Sequence, residues 1–176
     1  MAINHLHETD SRWFAIRTRA RCEKSVRQQL ERQEVTAYVP LQSFVRQYER
    51  KTRTVSLPLI PGFVFVRINK GQYLTVVSTP HVAGFVKNGA DLLSIPEGEI
   101  AVLRRVTLEK GLELEAVEGV LAEGDLVEIS AGTLAGLQGR LLRVSDKKRV
   151  QIALERLGYS LLITVDSNLL RKFSLH

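Results

Sequence analysis

Apolar and polar residues alternate in short runs along most of this chain, and the period lengthens toward 3.6 in three places. Trp13–Thr18 reads as a strand. Ala20–Glu34 follows as a helix, with Cys22, Val26 and Leu30 at i, i+4 and i+8 on one face. Val35–Tyr48 and Thr52–Leu57 predict a long hairpin, and Gly62–Ile68 a further strand. Gln72–Ser78 predicts a short helix and Val82–Val86 a short strand. Ser94-Ile-Pro-Glu97 has the spacing of a capping box and opens a last helix with Ile100, Leu103 and Val106 facing inward. Strands mixed with helices on one side imply an α+β sandwich.

Beyond residue 122 every predicted element is a strand: 125–130, 139–144, 149–154, 159–165 and 168–172. Asp146-Lys-Lys, Leu157-Gly158 and Asp166-Ser-Asn168 supply turns. Five short strands so spaced read as a small barrel. Gly132, Gly136 and Gly139 sit where the connection between the first two strands needs positive φ or close backbone approach. Between the halves, Glu109–Gly119 has two glycines, four acids and no sustained core pattern. The expected organisation is a disordered tail over 1–11, an α+β domain over 12–108, a linker over 109–122 and the barrel over 123–176.

The chain has 176 residues and a net charge of +6, unevenly spread. Residues 1–108 hold 16 Lys/Arg against 9 Asp/Glu, and residues 123–176 hold 8 against 6. A basic domain favours a polyanionic partner. On the first helix Arg21, Lys24, Gln28 and Arg32 fall within an arc of about 80°, opposite the apolar face, with Arg17 and Arg19 just before it. The segment Arg46–Arg53 adds four cations and one acid at the hairpin tip. A solvated face and a phosphate-binding face both fit this charge.

The strand from Phe63 to Ile68 is apolar on both sides: Phe63 and Phe65 on one, Val64, Val66 and Ile68 on the other. Its second face is covered by the chain or by a partner, and periodicity does not separate the two.

Several classes are excluded. No run of 18 apolar residues suggests a membrane helix. Residues 1–10 lack the pattern of a signal peptide. The single cysteine, Cys22, rules out an internal disulfide, reads as a core thiol and fits a reducing cytoplasm. His5, His7, His81 and His176 have no partners at ligand spacing. No catalytic, metal or cofactor site is expected, so the chain reads as a binding protein rather than an enzyme.

Trp13-Phe14 opening the first strand, Glu23-Lys24 early in the first helix, Pro61-Gly-Phe-Val-Phe-Val66 and Thr79-Pro-His-Val-Ala-Gly-Phe-Val86 occur in order, followed by the glycine segment. Together they resemble the NusG family of transcription elongation factors over about residues 12–173. That family joins an N-terminal NGN domain to a five-stranded KOW barrel. Leu30-Glu-Arg-Gln33 and Pro58-Leu-Ile-Pro61 look closer to its specialised, RfaH-like antiterminators.

The resemblance implies a cytoplasmic monomer. Its NGN domain would dock on the RNA polymerase clamp helices, carried here onto Trp13, Phe14, Pro61, Phe63 and Phe65. It also implies contact with the non-template DNA strand through Arg19, Arg21, Lys24, Gln28 and Arg32, with Gln28 or Tyr48 able to meet a base. Leu157, Gly158 and Tyr159 lie where relatives present an apolar residue to a ribosomal small-subunit protein or to Rho. The polar stretch that touches the polymerase gate loop is represented by Gln72-Tyr-Leu-Thr75, where only Thr75 keeps the chemistry. A general NusG-type factor promoting Rho-dependent termination, and an RNA- or ribosome-binding KOW protein, are the rival readings. Some specialised relatives refold the KOW segment as helices. Here Val144, Val150, Ile152, Ile163, Thr164 and Val165 favour strands.

Overall fold

A computed structural model describes residues 1–120, 124–144 and 147–173. The residues at 121–123, the turn residue Asp146 and the C-terminal His176 lie outside the described residues. The chain divides into two compact units, 1–100 and 101–176.

In the first unit the elements run β1 (Arg12–Thr18), α1 (Glu23–Arg32), β2 (Thr36–Tyr38), β3 (Leu41–Tyr48), β4 (Lys51–Pro58), β5 (Phe63–Ile68), α2 (Tyr73–Ser78) and β6 (Val82–Phe85). A four-stranded sheet has the order β2-β5-β1-β6, and β3 and β4 pair separately as a two-stranded ribbon. Val26 and Leu30 of α1 pack with Phe14 and Ile16 of β1 and with Val64, Val66 and Ile68 of β5. Cys22 packs partly against this core. The apolar stripe of α1 therefore covers one sheet face, as its period requires.

The helix expected after Ser94 is present, with Ile100, Leu103 and Val106 buried as its period requires, but Ser94 does not cap it. The Ser94 amide donates to His5 Nδ1 at 3.0 Å, and the helix, α3 (Glu97–Leu108), starts at the capping box's last residue. Glu99 N–H bonds the Pro96 carbonyl at 3.0 Å, which makes Pro96 the start of the first turn. The segment read as a free tail is held in place. Leu92 N–H donates to Ile3 O and His5 N–H to Leu92 O, both at 2.9 Å, and Leu6 packs against the core. A single half-buried side chain leaves no periodicity to read, and the segment's pairing partner, Leu92 opposite Asn4, lies 88 residues away along the chain.

In the second unit β7 (Leu114–Glu118), β8 (Leu126–Ile129), β9 (Gln138–Val144), β10 (Lys147–Leu154), β11 (Tyr159–Thr164) and β12 (Leu170–Lys172) form one antiparallel sheet, ordered β12-β8-β9-β10-β11-β7. The five expected strands are present, and β7 is a sixth inside the segment read as linker. Its Leu114 is buried, and its backbone pairs with β11 from Glu118↔Tyr159 to Leu114↔Ile163. Alternating acids hid it, because an edge strand buries only every second residue. Gly132 and Gly136 have φ of 82° and 83°. At Gly139 a Cβ would lie 2.3 Å from the Gln151 carbonyl oxygen. Both glycine requirements read from the spacing are met. No described helix is long and apolar enough to cross a membrane.

Candidate functional site

β1 and β5 pair with Phe14 opposite Val66 and Ala15 opposite Phe65, so alternate residues share a face. Phe14 points into the core beneath α1. Trp13, Phe63 and Phe65 occupy the other face and are 3%, 1% and 0% exposed. The Arg17 guanidinium lies 4.7 Å from the Phe63 ring centroid, and Tyr38 meets Phe65 with ring centroids 6.1 Å apart. Pro61 is exposed in the turn before Phe63. The five residues grouped by sequence thus separate: three share the second face, Pro61 reaches the surface, and Phe14 belongs to the opposite side.

Arg19, Arg21, Lys24, Gln28 and Arg32 are all exposed, and the three on α1 share its outer face. Arg21 has φ of 63°, a left-handed conformation uncommon outside glycine, in the turn that feeds α1. The Lys24 ammonium donates to the Ser56 carbonyl of β4.

Beside this helix runs an open groove of about 870 Å³, lined among others by Ala20, Arg21, Lys24, Arg46, Leu57 and Pro61. Its volume and its mixture of apolar wall and cations suit an anionic ligand that also carries an apolar part. Glu23, also on the groove, is a residue to which the sequence reading gave no role. It is 3% exposed, and its Oε1 accepts the Gly62 amide at 2.7 Å. Gly62 has φ of 83° and its carbonyl accepts the Thr18 amide at 3.0 Å, so Glu23 ties the turn carrying Pro61 to the start of α1. In the sequence it is marked by the Glu23-Lys24 pair of the resemblance and by its place as a first-turn carboxylate, which the helix dipole also favours.

In the second unit, Leu157 is turned into the core, Gly158 is exposed with φ of 68°, and Tyr159 is half-buried. Four of the cations here have internal partners. Arg105 donates to the Thr133 and Ala135 carbonyls of the glycine-rich loop, both at 2.8 Å, and the Thr133 hydroxyl bonds Glu109. Arg149 lies 3.5 Å from Glu113 and 3.1 Å from Glu115. Arg171 pairs with Glu128 at 2.6 Å, and Lys172 with Asp125 at 3.1 Å. Hydrogen bonds from Gln138 and Arg171 hold the Glu128 carboxyl below its ordinary value. Among the described residues no group of three or more His, Cys, Asp or Glu is placed to hold a metal ion.

Residues 11–104, more than half of the chain, match the family model described as "Transcription termination factor nusG". The transcription termination/antitermination protein NusG of Streptococcus pyogenes serotype M3 is 26% identical over 87% of this chain and 91% of its own length. That of Streptomyces virginiae is 28% identical over 83% of this chain and 58% of its own length. A solved structure of Thermotoga maritima NusG, concerned with its domain interaction, aligns at a TM-score of 0.59 over 95% of this chain and 99% of that one. At 21% identity this last likeness is one of fold.

Proposed function

Because this chain belongs to the NusG family, it is a NusG-type transcription termination/antitermination factor and not an enzyme, and from that premise we propose that it acts as a specialised, RfaH-like antiterminator. It docks on the clamp helices of RNA polymerase at the surface that Pro61 and Arg17 present, with the buried side chains of Trp13, Phe63 and Phe65 supporting that surface from beneath. Phe14 supports that face from the opposite side of the sheet. Arg19, Arg21, Lys24, Gln28 and Arg32 hold the non-template DNA strand beside it, the cations on phosphates and Gln28 on a base.

Bound in this way, the protein favours one polymerase conformation and so suppresses pausing and termination by population shift. Gly158 and Tyr159 of the second unit present its surface to a ribosomal small-subunit protein or to Rho, with Leu157 supporting them from the core. The observation that carries this reading is the group Arg19, Arg21, Lys24 and Arg32, at and just before α1, all exposed and without acidic partners among the described residues, in a chain of this family.

The test is transcription with purified RNA polymerase on a template holding a pause site and a Rho-dependent terminator. Readthrough should rise when the protein is added. Increased Rho-dependent termination would make it a general elongation factor instead. No effect, together with no binding to polymerase, would favour an RNA- or ribosome-binding role. Pro61→Glu, at an exposed position, should weaken polymerase co-purification without unfolding the first unit.

A further inference from the structure

The two strands of the ribbon, β3 and β4, pair in register from Leu41↔Pro58 to Tyr48↔Lys51. Directly opposed residues of an antiparallel pair project to the same face, and neighbours along a strand to opposite ones. One face therefore carries Phe44 opposite Val55, Arg46 opposite Arg53 and Tyr48 opposite Lys51. The other carries Ser43 opposite Ser56, Val45 opposite Thr54 and Gln47 opposite Thr52. Every ring and every cation within the paired strands is on the first face, and the second face is uncharged. Both rings are open to solvent, Phe44 at 41% and Tyr48 at 52% exposed. Among the described residues no carboxylate pairs with Arg46, Lys51 or Arg53, and the one acid of the segment, Glu49, stands in the turn.

We infer that this face is a stacking platform for single-stranded nucleic acid, with Phe44 and Tyr48 taking bases and Arg46, Arg53 and Lys51 taking phosphates. Rings that accept any base, interleaved with cations along a track, are the requirements for holding a single strand without reading its sequence. At about 3.4 Å per residue the two rings are roughly 14 Å apart, which makes them separate stations with a cation pair between them. A solvated β-ribbon has no need to sort its rings and cations onto one face.

The platform is continuous with the groove beside α1, because Arg46 and Leu57 belong both to the ribbon face and to the groove lining. A strand leaving Arg21 and Lys24 meets Arg46 next. The inference rests on the reading of α1 as a DNA-binding face in this one respect, that the same strand continues onto the ribbon.

The experiment measures fluorescence anisotropy of the full chain with labelled twelve-residue oligothymidylate, an abasic oligomer of equal charge, and oligouridylate, each over a range of salt. Phe44→Leu with Tyr48→Leu keeps apolar residues on the ribbon and removes only the rings; Trp13 fluorescence reports that the first unit stays folded. Affinity for oligothymidylate should fall roughly tenfold per ring. It should not change for the abasic oligomer, and the salt slope should stay that of the wild type. A parallel loss on oligouridylate assigns the platform to single strands of either sugar, and a loss confined to oligothymidylate assigns it to DNA.

Replacing Arg19, Arg21, Lys24 and Arg32 with Ala should instead weaken both the thymidylate and abasic oligomers and flatten the slope. If that variant behaves so while the leucine pair binds oligothymidylate like wild type, the ribbon is not a platform and the α1 face stands. Equal loss on thymidylate and abasic oligomers by the leucine pair would likewise overturn base stacking. Failure of the wild-type chain to bind any oligomer would overturn both.

Discussion

In the second unit Arg149 lies between Glu113 and Glu115, Arg171 pairs with Glu128, Lys172 with Asp125, and Arg105 is bound by two loop carbonyls. In the first unit Arg27 pairs with Glu31 and Lys70 with Glu8, but Arg19, Arg21, Arg32, Arg46, Lys51 and Arg53 are exposed and have no acidic partner among the described residues, against Lys110, Arg143 and Arg156 in the second. The balance of charge follows the same division: 14 Lys/Arg against 9 Asp/Glu in residues 1–100, and 11 against 10 in residues 101–176. Exposed ion pairs contribute at most about 1 kcal/mol each. The difference therefore matters less for stability than for availability. A paired cation must give up its carboxylate before it can meet a phosphate, whereas an unpaired one exchanges only water and counterions. The first unit is the one prepared for a polyanion.

The largest effects come from substitutions that damage one unit at a time. Phe65→Ala empties a fully buried site and should lower the stability of the first unit by about 3–5 kcal/mol, read in denaturant by Trp13, the chain's single tryptophan. A smaller change would mean that its face is loosely packed. Gly139→Ala forces a Cβ against the backbone of β10 and should lower the stability of the second unit by about 3 kcal/mol, seen as lost sheet signal in far-ultraviolet circular dichroism, with Trp13 fluorescence unchanged.

The four α1-side cations changed together to Ala should reduce the salt slope of oligonucleotide binding by up to about 3, at roughly 0.7 per lost phosphate contact on a single strand. An unchanged slope would erase the contrast between the units. Arg149→Met should leave that slope at the wild-type value and lower stability by less than about 1 kcal/mol, because its partners are exposed carboxylates. A fall in DNA affinity would show that the second unit also meets the polyanion.

The smallest effect concerns pH. The Glu128 carboxyl is held below its ordinary value of 4.5 in the folded chain. Its contribution is therefore fully present above that value and fades as pH falls through the lower folded value. Glu128→Gln should flatten the acid limb of the second unit's stability curve by a small loss of stability near neutrality, with the variant and wild-type curves converging as pH falls through the folded value.

Much of this organisation was legible in the residues. The i, i+4, i+8 stripe of Cys22, Val26 and Leu30, the alternation in Phe63–Ile68 and the glycine spacing of 132–139 are local patterns set by period or by backbone sterics. β7 was missed because its pairing partner, β11, is more than forty residues on, and nothing within 114–118 announces it. Ser94 was read as a cap because the spacing was right, yet the His5 ring, brought in by the N-terminal segment, engages it. Glu23 looked like an ordinary first-turn acid until the turn at Gly62 was placed over it.

The sequence by itself determined most of the elements, the family, the division into a mixed unit and an all-β unit, and which segment holds the excess of cations. Tertiary structure decided which charges are free, which of the grouped aromatics share a face, and that the rings and cations of the ribbon lie together. The reason is physical. Period and turn chemistry act between near neighbours, whereas neutralisation, burial and strand register depend on groups that only the folded chain brings together.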